Sequence, residues 1–240
     1  MSENLEENLC VSVSPRRRVA FYGGSFDPLH NGHLTIAHAL SEQFELDEFV
    51  FIPAFHAPHK KDKKPTSAFH RFAMLCLATN NEAKIKVSKM ELDVPERPYS
   101  VETLTRLKTE LPDVQIFFVI GADSWAEITT WREWEKVLTL VNIIVVTRPD
   151  YKIGFAHVTD EIRERIIDLR GDFPAKAQSR KGNKKSQIPN PKSEIFITDA
   201  VQIDVSATEI RQKIRENTDD WHEDVPKEVA KYLEKYQIYK

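Results

Sequence analysis

The chain has 240 residues, with 34 Lys and Arg against 37 Asp and Glu and a formal net charge of −3; that near balance excludes a polyanion binder driven by bulk charge, and with it nucleic acid as a partner. A hydrophobic content of 41% is enough for a sizeable core, but the longest apolar stretches, 114–122 and 137–146, are interrupted or far short of the roughly 20 residues of a bilayer span, so no membrane partner is expected. The first nine residues carry Glu3, Glu6 and Glu7 and no Lys or Arg, unlike a secretory signal, and Cys10 and Cys76 make no zinc or disulfide framework, so the expected compartment is the cytoplasm.

A polar tail, 1–18, closes on Pro15-Arg16-Arg17-Arg18. The run Val19-Ala20-Phe21-Tyr22 then meets Gly23 and Gly24, which predicts a short buried strand stopped at a tight turn. Leu34, Ala37, Ala39, Leu40 and Phe44 give helical spacing over 33–44, and 48–52 before Pro53 reads as a second strand. A Pro- and Lys-rich loop to about Pro65 leads to a helix over 68–79, a strand over 84–87, a helix over 101–111 and a strand over 114–120. A helix over 130–140, with Thr130 as N-cap, and a buried strand over 142–147 follow. The pattern next predicts an amphipathic helix over 155–169. Residues 172–192, with six basic side chains, three prolines and almost nothing apolar, read as a mobile basic loop. A strand over 194–205, a helix over 206–216 and a terminal helix over 226–236 complete the chain. This alternation predicts an α/β, Rossmann-like, doubly wound parallel sheet with helices on both faces. The expected organisation is one domain, 19–240, ending in a helical part over 206–240.

Seven glycines in 240 residues is less than half the usual share of about 7%. Yet Gly23, Gly24 and Gly32 fall within ten residues, and six of the eight histidines lie between His30 and His70. In Gly23-Gly24-Ser25-Phe26-Asp27-Pro28-Leu29-His30-Asn31-Gly32-His33-Leu34, glycines end a strand and two histidines three residues apart open a helix. Backbone amides at such a junction, with the positive end of the helix dipole, bind an anion. His30 and His33 add donors at a strand's carboxyl end, where open α/β sheets hold their ligands. A polyphosphate fits that chemistry. A bare His-x-x-His is more often a pair of surface histidines; the glycines and the strand before them favour the phosphate site here.

This run resembles the signature of the nucleotidyltransferases with an HxGH motif. Far along the chain, Val205-Ser206-Ala207-Thr208-Glu209-Ile210-Arg211 resembles that superfamily's second signature, a Ser/Thr-rich turn opening a helix with an Arg one turn in. On its own residues this segment is a capped helix: Ser206 and Glu209 fit a capping box, Thr208 lies in the first turn, and Arg211 can reach anions near it. Three further segments bring the resemblance, over 19–239, to the bacterial nicotinate-nucleotide adenylyltransferases. They are Pro98-Tyr99-Ser100-Val101-Glu102-Thr103-Leu104, Gly121-Ala122-Asp123-Ser124, and Thr130-Trp131-Arg132 with Trp134.

The resemblance implies an enzyme of NAD biosynthesis that transfers the adenylyl group of ATP to nicotinate mononucleotide. Nicotinate adenine dinucleotide and pyrophosphate are its products, formed by direct in-line attack without a covalent intermediate. It implies catalytic roles for His30, His33 and Arg211, and ATP binding by Gly23, Gly24, Ser25, Phe26, His30, His33, Asp123, Ser206, Thr208 and Arg211. It implies mononucleotide binding by His59, Lys60, Ser100, Asp123, Trp131 and Arg132, with Trp131 stacked on the pyridine ring, Ser100 and the Arg132 backbone near its carboxylate, and Trp134 left to the core. Mg2+ is expected to arrive with ATP; no protein ligand is assigned to it, since Asp27 before Pro28 is at least as apt to fix the turn. ATP and nicotinate mononucleotide are the expected partners, and a homo-oligomer is compatible with the sequence. Ala54-Phe55-His56 stand where family members often carry Asn or Gly, so contacts by those side chains do not carry over. Two alternatives stay open. A cytidylyl- or pantetheine-phosphate transferase needs a different acceptor pocket, against which Trp131 and Ser100 speak, and a nucleotide sensor without turnover has no need of His30, His33 and Arg211. The preference for the nicotinate over the nicotinamide acceptor rests on the resemblance alone.

Overall fold

The apolar runs become strands of one sheet in the computed structural model, which describes residues 16–55, 66–94, 98–147, 152–171, 193–201 and 205–240. In chain order these are β1 (Arg18–Gly24), α1 (Asn31–Gln43), β2 (Glu48–Pro53), α2 (Ala68–Thr79), β3 (Ile85–Val87), α3 (Ser100–Glu110), β4 (Gln115–Gly121), α4 (Ala122–Ala126), α5 (Trp134–Leu140), β5 (Asn142–Val146), α6 (Asp160–Arg163), β6 (Ile166–Asp168), β7 (Ile195–Thr198), α7 (Ala207–Arg215) and α8 (Lys227–Lys235). The sheet has seven strands in the order β3-β2-β1-β4-β5-β7-β6, and every pairing is parallel.

Burial on both faces explains why the strands are nearly continuous apolar runs. Successive side chains alternate between two cores. Ala20, Phe49, Phe51, Phe117, Val119 and Ile144 face one side, where α1 contributes Ala37 and Leu40, α2 Met74 and Leu75, α7 Ile210 and Ile214, and α8 Val229 and Leu233. Val19, Phe21, Val50, Ile52, Ile116, Phe118, Ile143 and Val145 face the other, under Val101, Leu104 and Leu107 of α3 and Val137 and Leu138 of α5. Each fully buried side chain of this kind contributes roughly 1.5–3 kcal/mol of transfer free energy. Among the described residues no helix is long and apolar enough to cross a membrane.

The strand order sets the site. From β1 the chain winds outward through β2 and β3, then returns to place β4 on the opposite side of β1. Between β1 and β4 the winding reverses, and the crevice at their carboxyl ends is where sheets of this topology hold ligands. Gly24 ends one wall and Gly121 the other.

Several elements differ from expectation. No helix spans 155–169: only α6 is helical, and Ile166, Ile167 and Asp168 form an edge strand paired with Ile195, Phe196 and Ile197. Ile162, Ile166 and Leu169 keep helical spacing in sequence, but Ile162 and Ile166 pack against one core and Leu169 against the other, a division across the sheet edge that a strand allows and a single helix face does not. The helix expected over 130–140 begins at Trp134, preceded by a 3-10 turn at Ile128–Thr130 and by Glu133 at a φ of 50°. Thr130 is not its N-cap, since its hydroxyl donates to the Glu127 carbonyl. The strand expected over 194–205 stops at Thr198, and β1 takes in Arg18 from the expected tail. The basic loop 172–192, most of the tail, and His56, His59 and Lys60 lie outside the described residues.

Candidate active site

The loop from β1 to α1 is shaped by close packing. A Cβ on Gly24 would lie 2.8 Å from the Phe26 ring, so glycine is what lets that ring fold back over the strand end. Phe26 itself sits at a φ of 48°, a left-handed backbone that a bulky residue adopts only when its surroundings impose it. They do: its buried ring meets Tyr22, Phe51 and His33 at centroid distances of 5.4, 5.2 and 5.0 Å. The Asp27–Pro28 peptide bond that follows is cis.

His30 is the N-cap of α1 and His33 its third helical residue. The two rings lie 3.7 Å apart, tilted by 32°. The His30 backbone N–H donates to Nδ1 of His33 at 3.3 Å, which leaves the proton of a neutral ring on Nε2. Burial, followed by the charge of His30, holds the His33 pKa well below the usual imidazole range. Near neutral pH His33 is therefore an uncharged Nε2–H donor in the first turn of a helix whose Asn31 and His33 amides already donate to the Asp224 and His30 carbonyls, at 2.8 and 3.0 Å.

The two ends of the chain meet at Asp27. Arg211, from the first turns of α7, donates to the Asp27 carbonyl oxygen and, at 3.1 Å, to Thr208 Oγ1. Ser206 caps α7 by accepting from the Thr208 amide at 3.3 Å. The expected capping box is not made: Ser206 accepts from the second helical amide rather than that of Glu209, and among the described residues no return bond runs from Glu209. Both carboxylate oxygens of Asp27 are engaged: Oδ1 accepts from the Tyr239 hydroxyl at 2.5 Å and Oδ2 from the Thr66 amide at 3.2 Å. Burial, with the Asp27 charge beside it, pushes the Tyr239 phenol far above its usual range, so it stays a donor. The expected turn-fixing role of Asp27 through its own backbone is replaced by one across the fold: its carboxylate ties the loop to Thr66 and to Tyr239.

The far wall is less enclosed. Asp123 lies exposed in the first turn of α4, directly after β4. Trp131 is half-buried in an extended stretch between the 3-10 turn and α5, packed like Trp134 against the core of α3 and α5. Trp125 is fully buried and donates Nε1–H to the Gly154 carbonyl at 2.9 Å. The Arg132 guanidinium lies 4.8 Å over the ring of Tyr99 and 3.7 Å from Glu102, so it ties the Trp131 segment to the start of α3, where Ser100 is the first residue. Ser25, His30, His33, Thr208 and Arg211 are therefore drawn to one loop, and Ser100, Trp131 and Arg132 to a second group. Two side chains with no part in the sequence reading, Arg71 and Tyr239, hold the first group in place. Tyr239 left no local signal, and that of Arg71 was a lone charge within the apolar run of α2.

A cytidylyltransferase-like family model matches residues 21–213, which takes in both signatures. A probable nicotinate-nucleotide adenylyltransferase of Corynebacterium glutamicum is 31% identical over 97% of this chain and 93% of its own length. One of Desulfatibacillum aliphaticivorans is 33% identical over 92% and 99%. Among solved structures, the nicotinic acid mononucleotide adenylyltransferase of Plasmodium falciparum, complexed with NaAD, superposes with a TM-score of 0.66 at 20% identity, covering 93% of this chain and 97% of its own, and bears out the fold. The chain belongs to the cytidylyltransferase-like family of nucleotidyltransferases, in its branch of nicotinate-nucleotide adenylyltransferases.

Proposed function

We propose that residues 19–240 act as one catalytic unit that transfers the adenylyl group of ATP to nicotinate mononucleotide. The observation that carries the reading is the meeting of the two signatures: Arg211 of α7 bonds the carbonyl of Asp27, in the loop that runs from Gly24 to His33. Full-length similarity to relatives of that name supports the choice of acceptor.

An oxygen of the mononucleotide phosphate attacks the α-phosphorus of ATP. One P–O bond forms, the bond to the bridging oxygen breaks, and its electron pair leaves with pyrophosphate. The attacking phosphate is already an anion, so no protein nucleophile is needed, and catalysis reduces to positioning and charge stabilisation. Amides of the Gly24–Ser25 turn cradle the phosphates at the positive end of the α1 dipole. His33, neutral and donating from Nε2, and His30 beside it bond the α- and β-phosphate oxygens where charge develops, and Arg211, Thr208 and Ser206 grip the triphosphate from α7. Magnesium enters as part of the substrate Mg-ATP, held chiefly by its phosphate oxygens and water. Trp131 presents an apolar plate to the pyridine ring, amides at Ser100 and Arg132 face its carboxylate, Asp123 meets ribose hydroxyls, and His59 and Lys60 meet the mononucleotide phosphate.

Pyrophosphate release from Mg-ATP with nicotinate mononucleotide, nicotinamide mononucleotide and phosphopantetheine in parallel tests this reading. Release fastest with the nicotinate form is expected. Release fastest with phosphopantetheine would retain the phosphate site and discard the acceptor pocket, and release with none would refute the transferase reading.

A further inference from the structure

The Arg71 side chain, on the first turn of α2, is 1% exposed, yet among the described residues no carboxylate lies within ion-pair distance of it. Among the described residues it donates only to main-chain carbonyls: Nη1 to Ser25 at 2.6 Å, Nη2 to Ala54 at 2.6 Å and Phe55 at 3.2 Å, and Nε to Thr66 at 3.0 Å. Burial lowers the Arg71 pKa, an effect that the nearby Asp27 charge offsets only in part; burying a cation with no carboxylate in contact is costly, and a well-packed apolar side chain of similar volume is often neutral or stabilising by comparison. What an apolar side chain cannot do is hold carbonyls of separate segments at one point. A planar guanidinium spreads five donors in a fixed fork over several carbonyls, whereas the compact ammonium of lysine offers three donors from a single atom.

The segments it joins are those the reaction must align. Ser25 belongs to the loop after β1 that is read above as the phosphate cradle. Ala54 and Phe55 end β2 and lead into the stretch that carries His59 and Lys60. Thr66 closes that stretch, and its amide bonds the Asp27 carboxylate, so Arg71 and Asp27 each fasten the loop after β1 to Thr66. The Ala54 amide also donates to the Gly24 carbonyl at 2.9 Å, which places the pivot at the ends of neighbouring strands.

We propose that Arg71 is a positioning residue: it bolts the ATP-phosphate loop at Ser25 to the carboxyl end of β2 at Ala54 and Phe55 and to Thr66, so that the cradle of the phosphates and the anchor points on either side of the acceptor stretch are held at one fixed separation. The proposal rests on the reading of this crevice as an adenylyl-transfer site. Misplacement of reacting groups by about 1 Å costs on the order of 10²-fold in rate. Arg71→Lys and Arg71→Gln are therefore expected to lower kcat roughly 10- to 100-fold and to raise KM for both substrates, in protein whose folded fraction is fixed by near-UV circular dichroism. A purely structural role predicts a loss that follows the folded fraction, with both KM values unchanged, and that result would overturn the proposal.

Hydrogen exchange of the wild-type chain decides the matter if neither variant accumulates folded. Mg-ATP alone is expected to slow exchange at Ala54 and Thr66 as well as over 23–33. Protection confined to 23–33 would mean that the loops are not bolted together. Wild-type turnover with nicotinate mononucleotide tests the underlying reading separately, because only the ratio of variant to wild type, or the spread of protection, speaks to Arg71.

Discussion

Replacing Gly24 by alanine tests whether packing around Phe26 shapes the phosphate loop. The new Cβ would lie 2.8, 3.1 and 3.2 Å from three carbons of the Phe26 ring, against an optimal carbon–carbon separation of about 3.5–4.0 Å. The ring must retreat by something approaching 1 Å, and it has little room: Phe26 is 3% exposed and Phe51 behind it is fully buried, while His33 leans on its other side at 5.0 Å. Overpacking of this kind costs about 1–3 kcal/mol, which for a domain of this size lowers Tm by roughly 2–4 °C per kcal/mol. Displacing His33 by a similar distance is expected to reduce turnover on the order of 10²-fold. Differential scanning calorimetry and steady-state pyrophosphate release measure the two effects. The double variant Gly24→Ala/Phe26→Leu, which removes the ring edge, should turn over faster than Gly24→Ala alone. A Gly24→Ala protein with wild-type Tm and turnover, or a double variant no faster than the single, would refute this account of the loop.

His33→Ala is expected to lower turnover by about 10²–10³-fold, the loss of one preorganised donor; retention of more than half of wild-type turnover would remove His33 from the mechanism. Trp131→Ala should raise KM for nicotinate mononucleotide about 2- to 10-fold, from about 0.5–1.5 kcal/mol of lost aromatic contact, and leave KM for ATP unchanged; equal effects on both substrates would contradict a stacking role. Glu91 carries a stability prediction: burial pushes its carboxyl up to about 7, partly offset by the bond it accepts from Thr103. Between about pH 4.5 and 7 the native state therefore holds a proton that the unfolded chain has released, so this group's contribution to stability falls as pH rises through that window. Glu91→Gln should raise Tm most above pH 7, by up to about 3 kcal/mol of stability, and little near pH 5; a Tm difference independent of pH would refute it.

The sheet was legible in the sequence because strands buried on both faces are long apolar runs: 114–120 and 142–147 admit few other readings. The edge was not. Ile166, Ile167 and Asp168 form a strand only because β7 lies beside them, and nothing local separates that from a helix through Ile162, Ile166 and Leu169. In the site, glycines and histidines at short spacing marked the β1–α1 junction, since that chemistry lies within one turn of chain. The capping of α7 was half legible: Ser206 makes its bond, and Glu209 makes no return bond. The framework around the loop was hidden for a different reason. Arg71 bonds backbone carbonyls, which every residue carries, and Tyr239 reaches Asp27 from 212 positions away. Contacts of those two kinds leave no spacing pattern to read.

Product analysis tests the central claim most directly. Mg-ATP and nicotinate mononucleotide, incubated with the wild-type chain and with His33→Ala and separated by chromatography with mass detection, should yield nicotinate adenine dinucleotide and pyrophosphate in equal amounts from the wild type and at least about 10²-fold more slowly from the variant. ATP left intact by the wild type, or split without formation of the dinucleotide, would contradict it.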